Sequence, residues 1–312
     1  MTISSFQNRP PTVQKPFPLP PGMNASRHAP KNRSSRKSLG IAFDGVTLAF
    51  LLLWAVIVLI PLGVLVSVAL KSPAELTTNP LGLPQQFLWS NFAQAWENGN
   101  MGTATINSVL VTGFTLLALV LFGSMAAYPL ARATSNKWYR GIYLYFVAGL
   151  IVPSQMGMIP LYGLMRNLGL INTLQGIIFL DIGGALPLVI FLYAGFIQSV
   201  PRELEEAAAL DGAGPLRIFW NIVFPLLGPV TATVIITSGL NIWNDFFGPL
   251  LFLQDQDKMT LPLAIYSFVG AYTNNWGLIF AAIIVSALPM LILFIFLQPY
   301  YVKGIAGGAL KG

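Results

Sequence analysis

"EEAAALDGAG", Glu205–Gly214, is the stretch on which the reading of this chain turns. Only 9% of the 312 residues are charged, yet Glu205, Glu206 and Asp211 crowd into this run beside three alanines, with Glu203 just upstream. A segment so acidic in so apolar a chain must face water or a partner, because an ionised carboxylate is costly in hydrocarbon.

The surroundings are 55% hydrophobic, whereas soluble domains carry roughly 25% charged residues. A hydrocarbon core about 30 Å thick needs ~20 consecutive apolar residues per helical crossing. Six windows free of Lys and Arg meet that length: Val46 to Leu70, Ile106 to Leu130, Ile142 to Leu161, Leu174 to Ile197, Leu226 to Leu253 and Leu278 to Leu297. No ten-residue segments alternate with period 2, which argues against an outer-membrane barrel. The expected fold class is an all-α membrane protein of six transmembrane helices.

Charge sets the orientation. Residues 1–43 hold Arg9, Lys15, Arg27, Lys31, Arg33, Arg36 and Lys37 and no acid before Asp44. With that tail inside, Arg132, Lys137, Arg140, Arg202, Arg217, Lys303 and Lys311 also fall inside, and only Lys71, Arg166 and Lys258 fall outside. The bias predicts cytoplasmic N- and C-termini. The tail itself, basic and rich in Pro and Ser, reads as a disordered segment whose charge sets the topology. With only Phe6 and Phe17 to stack on bases, it does not read as a nucleic-acid site. Its polar length before the first apolar run does not fit a cleaved leader, so the first span is expected to stay as an anchor. The chain has no cysteine, which excludes disulfides and thiolate metal sites, and its single histidine, His28, lies in the tail. No metal-ligand spacing and no nucleophile motif supports a membrane-embedded enzyme. Pro153, Pro160, Pro187, Pro229, Pro249 and Pro289 interrupt the spans, and each removes a backbone donor and favours a kink.

This topology puts Glu205–Gly214 in the cytoplasmic connection between the fourth and fifth spans. Ser199 is a candidate N-cap, Pro201 sits near the first turn, and the acids fall where the positive end of a helix dipole favours them. Gly212 and Gly214 supply a stop. Leu204, Ala207 and Ala208 form an apolar stripe, and Pro215 opens a second segment through Ile218, Phe219, Ile222 and Val223. A helix of about ten residues is marginal alone in water, so something should pack on it. Composition leaves two readings open: a docking element, and a solvated turn between spans.

Spacing carries the argument further. Glu206-Ala207-Ala208, three residues, Gly212, nine residues, then Ile222, Val223, Phe224 and Pro225 resemble the cytoplasmic signature of binding-protein-dependent ABC importer permeases, EAA-x3-G-x9-I-x-L-P. Phe224 stands in the leucine position, and the other positions match. "INSVLVTG" at Ile106, "AAYPLAR" ending at Arg132, "NLGLINTLQG" from Asn167, "WNDFFGPLL" from Trp243, "MTLPLAI" from Met259 and "GIAGGALKG" from Gly304 resemble the maltose-type, carbohydrate-importing branch.

The resemblance implies a type I ABC importer permease fold over residues 44–312. Its core lies at about 105–297, its coupling region at 200–226 and its C-terminal tail at 300–312. It implies that Glu206, Ala207, Ala208, Asp211, Gly212, Ile222 and Pro225 couple to an ATPase subunit, and that Gly307, Gly308, Lys311 and Gly312 touch that subunit. It implies a companion permease, most simply a heterodimer, two copies of the ATPase, an extracytoplasmic solute-binding protein and surrounding lipid. The setting implied is the cytoplasmic membrane of a bacterium or archaeon. ATP and Mg are expected on the partners, since no GxxxxGK[ST] loop occurs in this chain. The cargo implied is a carbohydrate or a related polyol or glucoside, carried without catalysis. Asp181 and Asp245 lie within apolar windows and are candidates for the pathway, with Gln155, Tyr162, Asn241, Trp243 and Asn244 as aromatic and planar polar groups suited to a sugar. An ion-coupled carrier using Asp181 is the alternative, against which stand the full signature and the absence of an inverted repeat.

Overall fold

The computed structural model describes residues 33–271 and 275–309, and all regular structure among them is helical. The helices are α1 (Arg33–Ala69), α2 (Pro73–Thr78), α3 (Ser90–Asn98), α4 (Met101–Arg132), α5 (Lys137–Gly149), α6 (Met158–Asn167), α7 (Leu174–Ile197), α8 (Glu203–Leu210), α9 (Pro215–Leu226), α10 (Gly228–Trp243), α11 (Phe247–Phe252), α12 (Leu261–Ala271) and α13 (Trp276–Ala309). The chain divides into Met1–Leu59, whose described part is the first portion of α1, and Ile60–Gly312.

Among the described residues, four single helices carry stretches long and apolar enough to cross a membrane: Thr47–Ala69, Met101–Arg132, Leu174–Ile197 and Trp276–Phe296. A fifth crossing exists if α9 and α10, bent by 74° at Leu227, act together. The third expected window is divided. Pro153 has no amide hydrogen and disfavours helix in the residue before it, so α5 stops at Gly149, a 3-10 turn covers Ser154–Gly157, and α6 restarts at Met158. The fifth window also breaks. The Asn244 side-chain amide donates to the Leu240 carbonyl at 2.8 Å, Asp245 accepts from the Gly248 amide at 3.4 Å, and helix resumes only at Phe247 with α11. A hydropathy window counts apolar residues and does not register these interruptions.

Helix α1 begins at Arg33, and residues 1–32, most of the basic tail, lie outside the described residues. Helix α13 continues to Ala309, so the backbone of Gly307 and Gly308 is helical, while Lys311 and Gly312 lie outside the described residues.

The main packing unit of residues 60–312 joins α7 to α4 and α10 to α13. Leu119, Val189, Ile190, Tyr193, Phe219, Val223 and Phe252 are buried at its centre. The α4–α7 approach depends on Gly123, where an added β-carbon would stand 2.6 Å from Val189 Cγ1. A π-turn at Leu119–Gly123 interrupts α4 there, and the Ser124 hydroxyl donates into the freed carbonyl of Val120. Polar side chains fasten the loops to this unit. Asn107 donates to the carbonyls of Asp257 and Met259 at 2.9 and 3.0 Å, and the Ser108 hydroxyl accepts from the Leu261 amide at 2.8 Å. Two motifs singled out in the sequence, "INSVLVTG" and "MTLPLAI", thus hold one another.

Candidate functional site: the coupling segment and the pathway residues

Helix α8 starts after Pro201, with Glu203, Glu205 and Glu206 in its first turn, where unpaired amides favour negative charge. The Ser199 cap expected from sequence does not form. Its hydroxyl donates to the Phe196 carbonyl at 2.7 Å, and Arg202 holds the cap position without capping the helix through its side chain. At the other end Gly212 supplies the expected stop, while Gly214 caps the start of α9. The Gly212 amide donates to Ala209 O and the Ala213 amide to Ala208 O, both at 3.0 Å, which is the paired geometry of a Schellman stop. It requires a left-handed residue, and Gly212 has φ +81° with open space around its missing β-carbon. The glycine is demanded by the backbone and not by crowding.

The faces of α8 divide the work. Ala208 and Ala213 pack on the core cluster. Glu206, Ala207, Asp211 and Gly212 are exposed, and Leu210 is 90% exposed. Leu204 and Leu216 are exposed as well, so the stripe expected from Leu204, Ala207 and Ala208 splits, with Ala208 inside and the other two outside. The outward side of α8 therefore carries an exposed leucine together with the exposed carboxylates of Glu206 and Asp211.

Sequence reasoning missed what holds α8 in place. Glu205 turns inward and accepts from Arg132 Nε at 2.8 Å, from the second guanidinium nitrogen, and from Tyr128 Oη at 2.7 Å. The Arg132 and Glu205 side chains are each 13% exposed. Arg132 donates again to the Val200 carbonyl at 3.0 Å, and Arg202 donates to the Arg132 carbonyl at 2.7 Å. Tyr128 also lies against Phe219, ring centroids 5.4 Å apart. One residue therefore links the end of α4 both to α8 and to α9. The available signal was Tyr128 and Arg132 at helical spacing i, i+4 beside a surplus glutamate in the first turn of α8.

In α9, Phe219 and Val223 are buried, Ile222 is half-buried and Pro225 is exposed. Phe219–Val223 forms a π-turn, with the Phe224 amide donating to the Phe219 carbonyl. Phe224 lies 4.9 Å, ring to ring, from Trp220. The aromatic in place of leucine fills this cluster.

The seven pathway candidates do not converge on one place. Trp243 and Asn244 line a cavity of about 390 Å³ with Phe246, Tyr266, Pro262 and Ser286. The Trp243 indole is committed to the Ser286 carbonyl at 3.1 Å. Asn241 is exposed on α10 and Gln155 is exposed in the 3-10 turn before α6. Tyr162 is half-buried and packs its ring 5.7 Å from Phe252, against the core cluster. Asp245 lies beyond α10 and accepts from the Gly248 amide, and Asp181 on α7 leaves one buried carboxylate oxygen without a hydrogen-bond partner. Among the described residues no group of three metal-ligating side chains forms.

Residues 119–306 match the family described as "Binding-protein-dependent transport system inner membrane component". The chain is 42% identical over 254 residues to the melibiose/raffinose/stachyose import permease protein MelC of Bacillus subtilis, covering 81% of this chain and 91% of that one. It is 36% identical over 272 residues to the diacetylchitobiose uptake system permease protein NgcG of Streptomyces coelicolor, covering 86% and 88%. Among solved structures, a bacterial ABC transporter involved in the import of the acidic polysaccharide alginate is similar at 25% identity and a TM-score of 0.72, covering 88% of this chain and 100% of that one. With the signature at Glu206–Pro225 set on a helix that presents its outer face, the chain belongs to the binding-protein-dependent transport system inner membrane components, the multi-pass permeases of ABC importers.

Proposed function

We propose that this permease imports an oligosaccharide, or a related polyol or glucoside, across the cytoplasmic membrane of a bacterium or archaeon. In this reading both termini are cytoplasmic, and α8 receives the work of a separate ATPase. The observation that carries it is the two-sided character of α8: one face is tied inward through Glu205, and the other offers Leu210 and Glu206 to a partner. The names of the similar permeases, which carry melibiose, raffinose, stachyose or diacetylchitobiose, support the cargo class.

The mechanism follows from the linkages. Two ATPase subunits, which bind the ATP and Mg, close on nucleotide and displace α8 through Glu206, Ala207, Asp211 and Gly212. Ala208 keeps α8 seated on the core, and the Glu205–Arg132 pair passes the displacement to α4. Ile222 and Pro225 pass it through α9 to α10, and the 74° bend at Leu227 is the natural place for rotation. Gly307, Gly308, Lys311 and Gly312 are proposed to reach the same ATPase subunit. A companion permease, a different chain, completes the pathway, and a solute-binding protein delivers cargo from outside; one solved structural relative is in complex with an alginate pentasaccharide-bound periplasmic protein. Trp243 and Asn244, at the 390 Å³ cavity, are the strongest of the pathway candidates.

The test is reconstitution of the purified complex in proteoliposomes with its binding protein. ATP-dependent uptake of a labelled oligosaccharide, blocked by vanadate, supports the reading. Uptake that survives without an ATPase and collapses with an ionophore overturns it, and favours ion coupling through Asp181.

A further inference from the structure

The segment that follows the first span is built in an unusual way. Lys71 is fully buried, yet among the described residues its ammonium forms no ion pair with a carboxylate. It donates instead to three backbone carbonyls, Asn79 O at 2.7 Å, Gly82 O at 2.6 Å and Pro80 O at 3.4 Å. A buried ammonium is tolerated only when its donors are satisfied, and here the loop 79–82 is wrapped around it. The other charged side chain of the segment is used in the same way, with Glu75 accepting from the Gln85 amide at 2.7 Å. From Leu76 through Trp96 there is no charged residue.

With its charges turned onto its own backbone, the loop presents apolar side chains outward. Leu81, Leu83, Phe87 and Trp89 are 78%, 84%, 62% and 67% exposed. Its height is fixed by hydrogen bonds to the end of the span. The Ser67 hydroxyl donates to the Gly82 carbonyl at 2.9 Å and the Leu88 amide donates to the Leu70 carbonyl at 2.9 Å. Leu81 and Leu83, flanking Gly82, therefore stand level with the last turn of the Thr47–Ala69 span. A helix rises ~1.5 Å per residue, so Ser67 is ~30 Å from Thr47, at the boundary of a hydrocarbon core about that thick. Leucine, phenylalanine and tryptophan at that depth match the composition of membrane-water boundaries.

We propose that residues 80–89 form an interfacial anchor that seats Leu81, Leu83, Phe87 and Trp89 in the lipid leaflet where the first span ends, with Lys71 as the clamp that holds the loop at that depth. The occupant is lipid because the loop is bonded to the end of an apolar span whose Leu62 and Val66 are likewise exposed, and because it carries no charge for a protein rim to read. The proposal rests on the spans crossing a membrane and is independent of the cargo and of the coupling role of α8.

The natural absence of cysteine makes the test direct. Leu83→Cys and Thr77→Cys, the latter exposed on α2, are each labelled with an environment-sensitive fluorophore in the assembled transporter in proteoliposomes. The label at 83 is expected to be quenched by lipids bearing a nitroxide near the headgroup and spared by aqueous iodide, and the label at 77 to show the reverse. Iodide quenching at 83 equal to that at 77 overturns the proposal. Protection of 83 from both quenchers also overturns it and assigns the loop to a protein partner. Introducing Lys71→Met into the Leu83→Cys protein is expected to shift the label toward iodide; if the lipid quenching is unchanged, the clamp is refuted.

Discussion

Replacing Glu205 with alanine removes the acceptor of three hydrogen bonds, two from Arg132 and one from Tyr128, and leaves a guanidinium in a place where the pair is only 13% exposed. Hydrogen bonds to charged groups contribute about 1.5–3 kcal/mol each, and breaking a buried pair from one side costs about 3–5 kcal/mol. These effects overlap, and the residual exposure of the pair lowers them, so about 3 kcal/mol is expected for the seating of α8 on α4. That is a shift of about two powers of ten in the seated fraction. The core cluster is untouched, so the variant should still reach the membrane and, because Leu210 and Glu206 are unchanged, still bring down its ATPase. The assay is sugar transported per ATP hydrolysed in proteoliposomes. The expected result is continued hydrolysis with a ratio reduced at least tenfold. The double variant Glu205→Leu with Arg132→Met, which leaves no unpaired charge, should be more stable than Glu205→Ala yet equally uncoupled. A Glu205→Ala complex with the normal ratio would refute the assignment of this pair as the link.

Other outcomes follow from neighbouring geometry. Gly212→Val should cost about 1–2 kcal/mol through the left-handed backbone alone, and Gly212→Asn clearly less; thermal unfolding of the detergent-solubilised complex ranks them. Trp243→Phe should remove the bond to the Ser286 carbonyl and cost about 1 kcal/mol, lowering the thermal midpoint; a raised KM with an unchanged midpoint would instead place Trp243 on the sugar. The Asp255 carboxyl is held below its usual range by Lys258 and by the Asn172 amide, 2.9 and 2.8 Å away. A depressed carboxyl contributes stability above its unfolded pKa and loses it as pH falls through the lowered value. The midpoint difference between wild type and Asp255→Asn should therefore be present at neutral pH and vanish in acid below the ordinary carboxylate range.

Much of this molecule was legible in residue order, for reasons that can be named. The spans at Thr47–Ala69, Met101–Arg132, Leu174–Ile197 and Trp276–Phe296 were found because uninterrupted apolar length is a property of local sequence. Gly212 was found because a helix stop has a local backbone requirement. What escaped was set by contacts distant in the chain. Glu205 and Glu206 are adjacent and chemically alike, and only the position of Arg132, 73 residues away, decides that the first turns inward and the second stays exposed. Ser199 is no cap because the helix starts at Glu203, which leaves Arg202 at the cap position. The breaks after Gly149 and Trp243 hinge on Pro153 and on the Asn244 and Asp245 side chains, which a hydropathy average dilutes. The pathway candidates were picked by residue type, and type alone does not separate Tyr162, packed against the core, from Asn244, at the rim of a cavity.

The central claim is that the outer face of α8 meets an ATPase, and Leu210, 90% exposed, is the place to measure it. Leu210→Cys in this cysteine-free chain, carrying a short bifunctional crosslinker in the assembled complex, should join the permease to its ATPase subunit in high yield, with a yield that changes between the nucleotide-free and ATP-bound states. A crosslinker at 210 that captures only lipid or water in every nucleotide state, in a complex that still transports, would contradict the account.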